Sequence, residues 1–228
     1  MQGIARGAIA VLLGQLVCCA ASAADIRLDP DRSGPTSTIL LSGPVIKGDL
    51  IGMQDAIEQT RRGRPGKPIV VVLDSPGGHH FEGMLIALLL KRQGIGTVVP
   101  PGASCVSACS SIFFGGFNAK AGKPNRVAYE TAQVGVHRMR RADGRDASAQ
   151  EAERVVGGAG WFLDQMGVSR SLQIKFFATP ATSMYYLTAA DMFGTSIEVR
   201  SAASAPNFKM QISPAAIGVN AKPKTLPQ

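Results

Sequence analysis

The chain has 228 residues, of which 45% are hydrophobic, and a mean hydropathy of +0.11. These values fit one sizeable domain with an ordinary buried core and exclude a largely disordered chain. The net charge is +8, yet no aromatic residues accompany the basic cluster that follows His137, so nucleic acid is not predicted as a partner. We expect that cluster to be a solvated loop; it consists of Arg138, Arg140, Arg141 and Arg145.

The first 23 residues have the pattern of a secretory signal peptide. Arg6 is the only charged residue before Asp25, residues 7–20 form an apolar run, and residues 21–23 (ASA) give a small-residue cleavage site. The run is shorter than the roughly 20 residues of a membrane span, so an uncleaved membrane anchor is the less favoured alternative. We expect a periplasmic or secreted protein whose mature chain begins near Ala24.

Cleavage changes both the charge and the cysteine count. Loss of Arg6 leaves 23 basic residues against 16 acidic ones, a net charge of +7. Two cysteines remain, Cys105 and Cys109. In an oxidising compartment such a pair forms either a disulfide or two small buried thiols. If both cysteines lay on one helical turn, their Cα atoms would be about 6 Å apart, which is within bridging range.

After a polar lead-in at residues 24–37, predicted strands and helices alternate through a domain at residues 38–200. The continuous β-branched run at residues 68–73 is typical of a strand covered on both faces. Further strands are predicted at 38–43, 96–99, 127–128, 134–136 and 196–199, and helices at 49–62, 81–93, 108–114, 147–166, 169–177 and 189–193. This alternation predicts an α/β fold with a mainly parallel sheet. Residues 201–228 are predicted to be a disordered tail.

Three short motifs follow the ends of predicted strands. They are the sequence LDSPGG at residues 73–78, Ser107 among small residues, and His137 after a β-branched run. In parallel sheets the functional groups lie beyond the carboxyl ends of the strands. A serine hydroxyl needs an adjacent base, usually histidine, and the resulting oxyanion needs N–H donors. Each motif alone is weak, but together they predict a hydrolytic serine site.

The same motifs in this order resemble the ClpP/crotonase superfamily. The residues that carry the resemblance are LDSPGG at 73–78, Ser107 before a small residue, GVH at 135–137 and LTA at 187–189. The sequence CVSAC at 105–109 is similar to the exported, periplasmic bacterial ClpP-like serine protease branch. The resemblance spans residues 38–199 and implies a ClpP/crotonase-like fold, in which mainly parallel sheet units are flanked by helices.

The resemblance also implies roles for individual residues. Ser107 would be the nucleophile and His137 the general base, with the N–H groups of Gly78 and Ala108 forming the oxyanion hole. Pro76, Gly77 and Gly78 would line the bound substrate. A peptide or protein substrate, no cofactor and a homo-oligomer are expected, with subunit contacts made by the helix from residue 147. An ATPase partner is not expected, because ATP is scarce outside the cytoplasm.

One position departs from the family pattern. The third catalytic residue of the family is an aspartate, and the corresponding position here is Met184. Ser183 and Asp191 are possible orienting residues for His137, although the capping of a helix that begins after Thr188 explains Asp191 more simply. Two hypotheses follow. The chain is an exported serine peptidase that forms an acyl-enzyme on Ser107, or a catalytically degenerate ClpP-like module for peptide binding or assembly.

Other candidate sites are less favoured. His79, His80 and Glu82 include two metal-ligand types, but adjacent histidines point apart on most backbones, so we expect an exposed turn and no metal site. Lys47 is an alternative base of the Ser-Lys type. An acyl-CoA role fits poorly, because CoA is a cytoplasmic cofactor and the serine would then have no purpose.

Overall fold

Strands and helices alternate in the computed structural model of the chain, which describes residues 23–31, 33–139 and 149–208. The proposed signal segment up to residue 22, the arginines at 140, 141 and 145, and residues 209–228 of the expected tail lie outside the described residues. Within the described part, no helix has both the length and the apolar character needed to cross a membrane.

The structure confirms the alternation predicted from the sequence and adds several short strands. The strands are β1 (Asp25–Leu28), β2 (Ser37–Ser42), β3 (Ile69–Asp74), β4 (Gly96–Val99), β5 (Ser104–Val106), β6 (Phe117–Asn118), β7 (Lys123–Pro124), β8 (Arg126–Tyr129), β9 (Gln133–Val136), β10 (Tyr185–Tyr186) and β11 (Glu198–Arg200). The helices are α1 (Asp49–Gly63), α2 (His80–Gln93), α3 (Ala108–Phe114), α4 (Ala149–Gln165), α5 (Arg170–Ala178) and α6 (Ala189–Gly194). A single 3₁₀ turn is described at Ala202–Ser204.

The main sheet has the strand order β1-β2-β3-β4-β8-β11. Every neighbouring pair is parallel except β1 and β2. Strand β3 lies inside this sheet and has five buried residues out of six, as its β-branched run predicts. The fold is therefore α/β with a mainly parallel sheet.

A smaller sheet, with the order β10-β9-β5, stands beside the end of β3. It is joined to the main sheet by an isolated parallel bridge between Ser75 and Cys105. Strand β5 runs parallel to β9, and β10 runs antiparallel to it. This arrangement brings the carboxyl ends of β3, β5 and β9 to one place.

Helix α3 is packed closely against α2. All seven residues of α3 are buried, and two glycines permit the close approach. An ideal Cβ on Gly83 would lie 2.5 Å from the carbonyl oxygen of Ala108, and one on Gly115 would lie 2.5 Å from the Cα of Ala87. The start of α3, directly after Ser107, is consequently fixed by core packing.

Two terminal segments differ from the sequence prediction. Part of the lead-in forms strand β1, which pairs with β2 in an edge position. Residues 201–208, assigned from the sequence to a disordered tail, include the 3₁₀ turn, and the Phe208 ring lies 6.0 Å from that of Tyr129. Burial of these apolar contacts, which the polar composition of the tail does not indicate, accounts for the difference.

Candidate active site

The site is assembled where three strands end. The Ser75 N–H donates to the Ser104 carbonyl (2.7 Å), and the Val106 N–H donates back to the Ser75 carbonyl (3.2 Å). One residue further, the Ser107 N–H donates to the carbonyl of Gly135 (3.0 Å). Asp74 contributes as well, since its Oδ1 accepts a hydrogen bond from the Ser104 N–H (3.0 Å). The backbone ladder thus sets the relative positions of the three predicted motifs.

Ser107 occupies a sharp turn between strand β5 and helix α3. Its φ of 58° and ψ of −123° lie outside the regions that L-residues normally adopt. Such a conformation costs on the order of 1–3 kcal/mol and persists only where the surroundings impose it. The Ser107 side chain is half-buried at this turn.

The structure brings His137 directly to Ser107. The distance from His137 Nε2 to Ser107 Oγ is 2.8 Å, and that from His137 Nδ1 to the carbonyl oxygen of Arg138 is also 2.8 Å. A carbonyl oxygen can only accept, so Nδ1 carries the proton in this arrangement and Nε2 presents its lone pair to the hydroxyl. His137 is therefore placed to accept the proton of Ser107.

Gly77 lies against the turn that carries Ser107. An ideal Cβ on Gly77 would fall 2.6 Å from the Cβ of Ser107, 2.6 Å from the carbonyl oxygen of Val106 and 2.8 Å from the amide nitrogen of Ala108. Its φ of +89° is also a region that favours glycine. The Gly77 N–H donates to Ser75 Oγ (3.1 Å) and so tightens the turn. A side chain at position 77 would collide with the backbone of the serine turn.

Gly78 has one paired edge and one open edge. On the paired edge, the Val45 N–H donates to the Gly77 carbonyl (2.8 Å) and the His79 N–H donates to the Val45 carbonyl (2.7 Å). The backbone groups of Gly78 alternate with these and face the other way. Neither the Gly78 N–H nor the Ala108 N–H donates a hydrogen bond recorded among the described residues, and Pro76 and Gly78 are exposed. Gly78 is therefore open to a ligand, whereas Ala108 is fully buried in the structure.

Met184 is the residue at which the sequence resemblance leads us to expect an acid. Strand β10 pairs Tyr185 with Val136, so residue 184 falls opposite His137 when the register is extended by one residue. The Met184 side chain lies over Gly135, whose ideal Cβ would be 2.8 Å from Met184 Cγ. Ser183 is exposed, and no hydrogen bond from it to His137 is recorded among the described residues.

Asp191 is engaged in a separate cluster, and no hydrogen bond to His137 is recorded for it among the described residues. Its carboxylate accepts hydrogen bonds from Lys175 Nζ (2.7 Å), the Tyr185 hydroxyl (2.7 Å) and the N–H of Thr188 (2.9 Å). Burial raises the pKa of Asp191, but these hydrogen bonds outweigh it and lower the pKa to about 2. The capping box with Thr188 is present, as the helix-capping explanation of Asp191 requires.

Cys105 and Cys109 form a disulfide with a Cα–Cα distance of 5.1 Å. The two cysteines do not share a helical turn, which was the geometry considered from the sequence. Cys105 belongs to β5 and Cys109 to α3, and Ser107 lies midway between them. Both side chains are fully buried. The bridge therefore spans the strained turn itself.

The histidine pair is not the exposed turn expected from the sequence. His79 is exposed and caps α2, where its Nδ1 accepts from the Glu82 N–H (3.2 Å). His80 is half-buried, and its Nε2 is buried with no hydrogen-bond partner among the described residues. Burial, then the positive charges of His137 and His79, lower the pKa of His80 to about 4. The Phe176 ring, 6.2 Å away, supplies part of the apolar surroundings that the sequence does not reveal.

Glu82 and Lys47 also lie away from any catalytic arrangement. Glu82 Oε1 accepts hydrogen bonds from the N–H groups of Gly48 (3.0 Å) and Leu50 (2.7 Å), so it caps the start of α1. Lys47 is exposed, and no contact with Ser107 is recorded for it within the described residues. The described part of the chain holds no group of three histidine, cysteine, aspartate or glutamate side chains that could bind a metal ion.

Sequence reasoning missed two features of the site. Val45 pairs with the Gly77–Gly78 strand, and the carbonyl of Arg138 fixes the ring of His137. Both act through backbone atoms, which every residue type carries, so no side-chain pattern in the sequence could have indicated them.

Known structures share this architecture. ClpP1 from Listeria monocytogenes aligns with a TM-score of 0.53 at 16% identity, over 72% of this chain and 91% of that one. A point mutant of the same protein gives a TM-score of 0.53 at 15% identity, with the same coverage. A mutant of the 1510-N membrane-bound stomatin-specific protease gives 0.53 at 18% identity, over 70% of this chain and 76% of that one.

No protein-family model and no curated protein sequence matches the chain. The structural matches define the fold as ClpP-like, as the sequence motifs predict. At identities of 15–18%, these structural matches support the fold alone.

Proposed function

We propose that the chain is a serine peptidase of ClpP-like fold that cleaves peptide bonds through an acyl-enzyme on Ser107. The observation that carries the proposal is the 2.8 Å contact between His137 Nε2 and Ser107 Oγ, in the tautomer that the Arg138 carbonyl selects.

The proposed reaction uses groups that the structure places around Ser107. His137 takes the hydroxyl proton as Ser107 Oγ attacks the scissile carbonyl carbon, and it then passes the proton to the leaving amine. The N–H groups of Gly78 and Ala108 stabilise the oxyanion in the two tetrahedral intermediates. Water then hydrolyses the ester on Ser107, with His137 again acting as the base.

The open edge of Gly78 suits an extended peptide. A substrate strand placed along residues 76–78 would donate a backbone N–H to the Gly78 carbonyl, and its scissile carbonyl oxygen would accept from the Gly78 N–H, as in other cases of strand addition. Such pairing positions the scissile bond without reading a particular side chain. The preference among peptide sequences is therefore left to pockets on either side of this strand.

The test is covalent labelling with a fluorophosphonate probe followed by intact-protein mass measurement. We expect one adduct on the wild-type chain, none on Ser107→Ala, and a labelling rate lowered by about 10²–10⁴-fold in His137→Gln, because a general base contributes that much. Ser111→Ala is the matched control: it removes a buried serine hydroxyl of α3, the helix that follows Ser107, and no hydrogen-bond partner of this hydroxyl is recorded among the described residues. Absence of labelling in correctly folded protein would refute the peptidase.

The alternative is a degenerate module that binds peptides without cleaving them. The presence of Met184 where the family has an acid favours it. In that case, extended peptides would bind the folded chain with measurable affinity, while the probe would leave Ser107 unmodified.

We further propose that the protein is exported and self-associates. The signal pattern of residues 1–23 supports export, and an N-terminus near Ala24 in protein recovered from the cell envelope would test it.

Exposed apolar side chains on helix α4 support self-association: 56% of the Trp161 surface and 49% of the Val156 surface are exposed. Sedimentation of the wild type against Trp161→Gln tests whether α4 joins two copies; equal masses would reject this contact.

A further inference from the structure

The disulfide encloses the strained serine. Here the bridged turn means residues 105–109, which run from the end of β5 to the first turn of α3. Cys105 and Cys109 close it, and Ser107 is at its centre. Within the described chain, Ser107 is one of two residues other than glycine that have a positive φ. A covalent link and an unfavourable backbone conformation therefore coincide at the residue with the proposed catalytic hydroxyl.

Non-covalent contacts also hold Ser107, the residue at the centre of the bridged turn. On the strand side, the Ser107 N–H donates to Gly135 (3.0 Å). On the helix side, the Ser107 carbonyl accepts from the N–H (3.1 Å) and the hydroxyl (2.6 Å) of Ser110. Relaxation of the angles at Ser107 toward a negative φ would reorient these backbone groups and swing Oγ away from His137. The disulfide opposes that relaxation because it fixes the separation of the two arms.

A large role in global stability is not expected of this bridge. The entropy that a disulfide removes from the unfolded chain grows with the length of the loop it closes, and here the cysteines are only four positions apart. Both are also fully buried in the apolar core, where two small side chains without a bridge would still pack. A contribution to folding therefore does not explain why the disulfide lies across Ser107.

We propose that the Cys105–Cys109 disulfide is a positioning element that holds Ser107 in its reactive conformation, so that hydrolysis depends on an oxidised bridge. This inference rests on the proposed peptidase function. Reduction by a dithiol proceeds through attack of its thiolate on one cysteine sulfur, which breaks the S–S bond and forms a mixed disulfide. The second thiol of the reductant then displaces that cysteine, leaving two protein thiols and one oxidised reductant. The reduced chain keeps its fold and loses most of its rate.

The experiment compares the oxidised wild type with the Cys105→Ala/Cys109→Ala variant. For each, the maximal rate of fluorophosphonate labelling and the probe concentration at half-maximal rate are measured, together with the urea unfolding midpoint. We expect the maximal rate to fall at least tenfold, while the half-saturating concentration changes less than twofold. A purely structural bridge would not produce that split. Ser111→Ala, again in α3, should leave the maximal labelling rate and the half-saturating concentration unchanged.

A second measurement tests the proposal even if the Cys105→Ala/Cys109→Ala variant does not fold. The wild type is unfolded and refolded with dithiothreitol, assayed, then reoxidised with oxidised glutathione and assayed again. Slow labelling when reduced and recovery on reoxidation support the proposal. Equal rates in both forms overturn the positioning role and leave the peptidase standing. Failure of both reduced forms to fold also overturns it, because the bridge would then serve folding. No labelling in any form refutes the peptidase, and the positioning role with it.

Discussion

Replacement of Gly77 by alanine tests whether the glycine turn and the serine turn fit together as described. The substitution carries two separate penalties. A φ of +89° costs an alanine about 1–2 kcal/mol. The added Cβ would also lie 2.6 Å from Ser107 Cβ, 2.6 Å from the Val106 carbonyl oxygen and 2.8 Å from the Ala108 nitrogen. Overpacking of this kind costs about 1–3 kcal/mol more. We therefore expect Gly77→Ala to lose about 2–5 kcal/mol of unfolding free energy.

Gly66→Ala separates the two penalties. Gly66 has a φ of +76°, but an ideal Cβ there meets no atom within 4 Å, so this control should lose only the conformational part, about 1–2 kcal/mol. Two of the three atoms that Gly77→Ala would strike are backbone atoms, so the serine turn itself must move. A displacement near 1 Å can lower a rate about 10²-fold, whereas Gly66→Ala should label normally.

Urea unfolding and fluorophosphonate labelling measure these effects on the same samples. The reasoning is refuted if the two alanine variants lose equal stability and Gly77→Ala retains the wild-type labelling rate. Loss of stability alone, with normal labelling, would show that the chain relieves the clash on the Gly77 side and would contradict the expected movement of Ser107.

Two further predictions concern acid stability. The pKa of Asp191 is lowered to about 2, so the ionised carboxylate stabilises the folded state by about 2 kcal/mol at pH values above its usual pKa, and this contribution is lost as the pH falls toward 2. Asp191→Asn should therefore be less stable than the wild type at pH 6, and its urea midpoint should decline less steeply below pH 4. A decline as steep as that of the wild type would contradict this. His80 has its pKa lowered to about 4, so the unfolded state binds its proton more readily and stability falls between about pH 6.5 and 4, by up to about 3 kcal/mol. His80→Phe, which also removes the unpartnered Nε2, should abolish that loss in calorimetric melts; a wild-type-like decrease would disprove it.

The sequence predicted the long elements because their signals are local. Helical spacing places α1 within one residue of its observed limits, and the β-branched run defines β3. The capping box at Thr188 and Asp191 is also a short-range pattern, and the structure contains it.

The short strands could not be predicted in this way. Strands β5 and β10 have three and two residues, too few for a periodicity of two to be recognised. They exist because neighbouring segments pair with them, as β9 does with both. Glu82 is a similar case: it caps α1 from 32 residues beyond Leu50, whereas capping motifs in sequence are read within a few positions.

Met184 departs from the pattern expected from the sequence, and the structure shows what its side chain contacts instead. From the sequence resemblance, we expect an acid at this position, and the chain has Met184 instead. In the structure its side chain fills the space above Gly135, where an ideal Cβ would lie 2.8 Å from Met184 Cγ and 2.9 Å from its sulfur. Gly135 lies on β9, and His137 follows the end of that strand two residues further on. Met184 and Gly135 therefore pack against each other close to the strand end that carries His137.

The orientation of the base is defined by its hydrogen bonds. His137 Nδ1 lies 2.8 Å from the Arg138 carbonyl oxygen, and Nε2 lies 2.8 Å from Ser107 Oγ. An acceptor at Nδ1 selects the reactive tautomer whether it is a carboxylate or a carbonyl, because both can only accept. The proton-transfer geometry consequently does not require an acid at position 184. What the non-acidic residue affects is the charge available to stabilise the imidazolium, and hence the rate of the reaction.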